Sequence, residues 1–290
     1  MSKYKGEILL LLSTLLFSVT SIFVKIVSQY FNGIFVTSIR FVLGIILTIF
    51  LMRALKITFK VENLKDWVMR GIFGSIAMVS FYLSISITSS GRAIMLCDIY
   101  PMFVALFGFL FFKEKIFANN IISLILCLIG VIFIFYDRGK YNIFGDIAGV
   151  VSGISSGMAI HYVRRSAVNN HPIVVYLAAC VIGLVFLPFS FIGKTNFNVI
   201  SVILVLIVGI LTFAAQFTMS YGYKYVSATK GSILSYFQIP LTMILSIMFL
   251  SEDFKSKFLV GIFFIILGLL ANQFLPNIFQ KKTIENEKEY

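Results

Sequence analysis

Arg40 and Asp98 are ionisable groups set inside two strongly apolar runs, 34–51 and 93–112. A charge facing lipid costs at least ~2.5–3.5 kcal/mol on insertion scales, so each is expected to face a partner or a watery cavity. Arg40 lies about six residues into its run and Asp98 about five or six, which at ~1.5 Å per residue puts them at similar depth. That coincidence permits an Arg40–Asp98 ion pair. The pair either pins two helices or opens to accept a solute, with Arg40 binding an anionic group and Asp98 an amine or a coupling proton.

Other polar residues in or beside apolar runs are weaker candidates. Lys25 and Arg164 sit at run ends, where long cationic side chains snorkel or meet solute. Gln238, beside Pro240, and Gln216 can bond between helices or line a cavity. Glu114 and Glu252 stand just before an apolar run, where a carboxylate satisfies free N–H groups at a helix start. Pro101 and Pro240 remove a backbone donor within their runs and are expected hinges. His161 continues a stripe of Gly145, Gly149, Gly153 and Gly157, which lets another helix approach closely. A bond across that packed pair is one role for His161; gating or proton sensing is another.

Gly153-Ile154-Ser155-Ser156-Gly157 matches the loose Gly-x-Ser-x-Gly pattern of serine hydrolases. Ser155 and His161 are six residues apart, about 240° around a helix, so they do not share a face. No metal-ligand cluster, Walker motif or dinucleotide fingerprint is present in the sequence, so no cofactor and no metal is expected.

The elements that must position these residues are membrane spans. Of 290 residues 59% are hydrophobic and only 12% charged, more apolar surface than a soluble domain of this size needs. Ten apolar runs fill the chain: 8–27, 34–51, 67–87, 93–112, 116–136, 145–162, 173–191, 199–222, 232–250 and 258–275. Most are long enough to cross ~30 Å of hydrocarbon as a helix. The fold class is therefore an all-α integral membrane protein of about ten transmembrane helices.

The chain also repeats itself at an offset of 139: Gly6-Glu7 returns as Gly145-Asp146, Lys25 as Arg164, Gly44 as Gly183, Tyr82 as Tyr221 and Pro101 as Pro240. Each copy holds five spans, so the second re-enters from the opposite side. This implies two inverted five-helix repeats, 1–140 and 141–280, followed by a disordered cytoplasmic tail at 281–290.

The net charge of +12 is dispersed through short loops, with no basic domain to grip nucleic acid. Placing both termini in the cytoplasm puts most Lys and Arg, Arg70 among them, on the inside, as the positive-inside rule requires. Cys97, Cys127 and Cys180 fall within spans and read as buried thiols. Trp67, the only tryptophan, reads as an interfacial anchor.

Tyr82, Ser89-Ser90-Gly91 with Ala93, Pro101 and Glu114 form a pattern repeated as Tyr221, Ala228, Gly231-Ser232, Pro240 and Glu252. Over essentially the whole chain this resembles the EamA-type members of the drug/metabolite transporter superfamily. The resemblance implies a central cavity lined partly by the third, fourth, eighth and ninth spans, with the fifth and tenth at the periphery. One departure is that relatives often carry Trp-Gly or Trp-Ala in the first span of each half, where this chain has Phe17-Ser18 and Ser156-Gly157.

The expected function is secondary-active transport, by alternating access, of a small polar or amino-acid-like solute, as an exporter or exchanger in the inner or plasma membrane. Candidate solute contacts are Arg40, Asp98, Gln238, Tyr82, His161 and Lys25, with a coupling proton or counter-solute as a further partner. A channel-like or scaffolding membrane protein is the alternative, and an intramembrane enzyme the remotest, because converging nucleophile, base and oxyanion donors are lacking.

Overall fold

A computed structural model describes residues 4–88, 90–136, 142–193, 195–250 and 256–274. Helices dominate it: α1 (Lys5–Val27), α2 (Gly33–Ala54), α3 (Leu64–Ile87), α4 (Ser90–Cys97), α5 (Tyr100–Phe111) and α6 (Ala118–Phe135). There follow α7 (Ile143–Asn169), α8 (Pro172–Gly183) with a 3-10 continuation Leu184–Phe191, α9 (Val199–Tyr223), α10 (Ala228–Ser235), α11 (Gln238–Leu250) and α12 (Ser256–Phe274). Among the described residues there is no strand, only an isolated bridge between Phe31 and Thr195. Among the described residues nine helical stretches are long and apolar enough to cross a membrane, and Ala118–Ile134 adds a shorter one. The protein is a multi-pass membrane protein.

Most expected spans return as single helices, but three are interrupted, each ahead of a proline. Pro101 cannot donate to the carbonyl of Cys97, and the fourth span breaks into α4 and α5 at Asp98-Ile99. Pro240 stands in the same relation to Tyr236, and the ninth span breaks into α10 and α11 at Tyr236-Phe237. Pro188 frees the carbonyl of Leu184, where α8 tightens into the 3-10 stretch. Side chains start the helices at the loops: Asn32, Asn63, Asn142 and Asn198 accept backbone N–H groups at the heads of α2, α3, α7 and α9.

Polarity is turned inside out relative to a soluble domain. Large apolar side chains such as Phe109, Phe144 and Phe263 point outward, while Ser13, Ser18, Thr37, Ser84, Ser152 and Ser220 are buried. Many of these hydroxyls return to a carbonyl one turn back, as Ser18 and Thr37 do.

The α7 glycine stripe receives the broken fourth span. A Cβ on Gly153 would stand 3.0 Å from the carbonyl oxygen of Leu96, and one on Gly157 2.6 Å from the Cβ of Phe103. α6 packs chiefly along α12, with Gly130 and Gly261 back to back at the crossing.

Two sequence expectations change. Trp67 is 9% exposed and donates its indole N–H to the Val174 carbonyl at 2.7 Å, so it joins α3 to α8 instead of anchoring at an interface. Arg70 belongs to the buried face of α3 rather than to a loop. Glu252, the joint at 137–141 and the tail at 281–290 lie outside the described residues.

Candidate substrate site

Arg40 occupies the second turn of α2, 7% exposed. Its Nη1 donates to the Tyr82 hydroxyl at 2.5 Å, and the guanidinium lies 5.7 Å from the centre of that ring. Tyr82 projects from the penultimate turn of α3, so this bond ties the second span to the third.

Arg70, from the second turn of α3, is 2% exposed. Its Nη2 donates to Gln216 Oε1 of α9 at 3.2 Å. Gly74, one turn on, makes room for it: a Cβ there would occupy the position of the guanidinium itself. Between the two cations runs α8, whose Tyr176 and Cys180 lie within electrostatic reach of both Arg40 and Arg70. Gly44, one turn after Arg40, lets α8 close on α2, since a Cβ there would stand 2.5 Å from the Cys180 sulfur and 2.9 Å from the Tyr176 hydroxyl.

Asp98 sits in the break between α4 and α5. It is half-buried. Cys97, Tyr100 and Tyr236 are its electrostatic neighbours. Tyr236 comes from the equivalent break in the ninth span, so the two breaks meet near one carboxyl group.

No ion pair joins Arg40 and Asp98 among the described residues. The expected contact is replaced by Arg40–Tyr82. A phenol on an adjoining helix satisfies one guanidinium nitrogen without a partner two spans away.

Gln238 opens α11 half-buried. Its backbone carbonyl accepts from Ser18 of α1 at 3.1 Å, which ties the first span to the ninth beside the break. Lys25 is exposed in the last turn of α1. Gln216 proves to be the partner of Arg70.

His161 is 2% exposed and donates from Nε2 to the Val104 carbonyl of α5 at 2.7 Å, stacked 4.3 Å from the Phe112 ring. The bond crosses the packed pair formed by the glycine stripe. Its Nδ1 lies 3.9 Å from Glu114, and with Arg164 and Arg165 these residues border a recess of about 380 Å³. Glu114 accepts from the backbone N–H groups of Ala228 and Thr229 at 3.2 and 3.4 Å and from the Thr229 hydroxyl at 2.8 Å. It is a helix cap, but for α10 rather than for the helix that follows it.

More polar ties gather at this end of the bundle. Lys230 meets Glu7 at 2.7 Å, Gln273 donates to the other Glu7 oxygen, and Arg165 meets Asp66 at 3.0 Å. They join α1, α10 and α12, and α3 with α7.

Arg70 is the residue that sequence reading misplaced. A position three residues after Trp67 looked like a span boundary, whereas α3 begins at Leu64 and carries Arg70 inside. The available signal was Asn63, whose side chain caps that earlier start.

The EamA-like transporter family model matches this chain twice, over residues 4–136 and 143–272. The pseudopaline exporter CntI of Pseudomonas aeruginosa (strain UCBPP-PA14) is 23% identical, over 92% of this chain and 95% of that protein. An uncharacterized transporter of Clostridium kluyveri is 27% identical over 92% and 93%, and one from Helicobacter pylori (strain J99) is 29% identical over 53% and 52%. A solved crystal structure shares the fold, with a TM-score of 0.82 at 16% identity, covering 96% of this chain and 99% of that one. Apolar spanning helices, two spans broken ahead of paired prolines and a family match over both halves agree, and the chain belongs to the EamA-like transporter family, as a membrane transporter.

Proposed function

We propose that this transporter is a secondary-active carrier that exports or exchanges a small polar, amino-acid-like solute by alternating access. Its halves, 1–140 and 141–280, are inverted five-helix repeats, and both termini lie in the cytoplasm of a cell bounded by the inner or plasma membrane that holds it. Arg40, Tyr82, Asp98 and Gln238 line the solute path. Pro101 and Pro240 supply the hinges, and a proton or counter-solute drives the cycle. His161 and Lys25 stand at the ends of the path.

The observation that carries this reading is the paired break. Two spans are interrupted at corresponding places, ahead of prolines 139 residues apart, and Tyr236 of the second break lies within electrostatic reach of Asp98 in the first. Irregular backbone at membrane depth is tolerated where it lines a cavity, and discontinuous helices at a repeat interface are where carriers bind solute. The element order supports the repeat, since a broken fourth member recurs in each half. The relative named as an exporter supports the direction. Family and relatives favour transport over catalysis.

The test compares metabolites of medium and cells with and without overexpression, then follows the changed solute across proteoliposomes containing purified protein. Accumulation in the medium and protein-dependent flux are expected. Absence of flux for every changed solute, from protein that remains folded, favours the scaffold reading.

A further inference from the structure

Arg40, Arg70 and Asp98 stand away from the ends of the described spans of the first half, and the repeat leaves all three unmatched. At the 139-residue offset Arg40 becomes Ala179, Arg70 becomes Gly209 and Asp98 becomes Phe237. Residues that the scaffold needs recur in both halves, as Gly44/Gly183 and Pro101/Pro240 do. These three serve something that occurs once.

The two arginines are also unbalanced. Among the described residues neither meets a carboxylate: Arg40 has Tyr82, Arg70 has Gln216, and the Nε of each is buried without a partner. Burying a guanidinium without a counter-charge is costly, and its open N–H groups add to that cost. Gly74 leaves the Arg70 guanidinium its place, Gly44 lets Tyr176 and Cys180 of α8 close on α2, and that hydroxyl and thiol lie within electrostatic reach of both cations. Guanidinium groups bind carboxylates with two parallel hydrogen bonds, which a phenol or a single amide oxygen does not replace.

We propose that Arg40 and Arg70 together form the anion-recognising wall of the solute site, and that the transported solute carries carboxylate groups. Arg70 is then a specificity-determining residue, held in place by Gln216 until the solute arrives. The assignment rests on the carrier reading above. It adds the charge of the solute and a second residue that contacts it.

The test uses the full chain in lipid nanodiscs, titrated with glutamate, succinate and citrate, with glutamine and succinamide as uncharged counterparts, and with chloride and inorganic phosphate. Thermal unfolding is the readout. At least one carboxylate raises the unfolding temperature in a saturable way, and its amide does not. Arg40→Gln and Arg70→Gln each weaken that response by about tenfold or more, the scale expected for losing a charged hydrogen bond. Arg70→Lys retains part of it.

Gln216→Glu is the decisive variant, because it supplies Arg70 with a carboxylate of its own and should keep the protein folded. It is expected to suppress the response to added carboxylates, whereas a merely structural Arg70 leaves the response intact. Equal responses to acid and amide, no response to any carboxylate, a response to chloride or phosphate as large as to carboxylates, or an undiminished response in Gln216→Glu each overturn the assignment. Flux in proteoliposomes separates the two readings. Flux of an identified solute that is indifferent to Arg70→Lys and to carboxylates removes the anion site and leaves the carrier. A carboxylate response without flux does the reverse.

Discussion

Glu114 reaches from the end of the fourth span to the head of α10 and satisfies two backbone N–H groups and a hydroxyl there. The residue type announced a cap; its sequence neighbours did not announce which helix. Arg40 follows the same pattern, since its burial was expected and its partner Tyr82 was not. Because Arg40 and Asp98 meet different groups, neutralising both should not restore what either change removes. Arg40→Gln and Asp98→Asn are each expected to impair proteoliposome flux strongly, and the double variant to be at least as impaired as the worse single one. Recovery of flux in the double variant would show that the two charges pair during the cycle.

At the scale of elements, helix contacts are set by small residues and by what heads each helix. A Cβ on Gly130 would stand 2.5 Å from the Gly261 carbonyl oxygen of α12, so Gly130→Val should force α6 and α12 apart. The expected cost is about 1–3 kcal/mol, as for other overpacked contacts, seen as a lower unfolding temperature in detergent. An unchanged temperature would mean that this crossing yields freely.

His171, in the turn between α7 and α8, accepts the Ile173 N–H at its Nδ1 at 3.4 Å. Burial, with Lys224 nearby, holds its imidazole below the ordinary 6.5. A group whose folded value is depressed contributes stability that is complete above the unfolded value and declines as pH falls below it. The unfolding temperature should therefore fall as pH drops below about 6.5, and His171→Asn, which keeps a capping acceptor and loses the proton, should flatten that fall. An identical drop in the variant assigns the pH dependence elsewhere.

At the scale of the whole molecule, the ten-span, inverted-repeat arrangement proposed above would put the two ends on one side. Single cysteines at Lys3 and Glu289, in a background lacking Cys97, Cys127 and Cys180, should both react only with a reagent admitted to the cytoplasm. Labelling from opposite sides would remove the inverted-repeat arrangement with the span count.

The sequence by itself determined the membrane class, the nine to ten apolar helices able to span, the prolines that interrupt two of them and the stripe of α7 that another helix approaches. These follow from local physics: an apolar run of sufficient length has no other stable state in lipid than a helix, and a proline removes a fixed donor wherever it stands. Tertiary structure alone decided that Arg40 meets Tyr82, that Arg70 lies inside with Gln216, that Trp67 is buried against α8, and that Glu114 caps α10 across the bundle. Such contacts depend on how helices rotate and cross, which many weak packing terms set jointly. Hydropathy along one helix is nearly blind to that rotation, because lipid and a helix neighbour are both apolar.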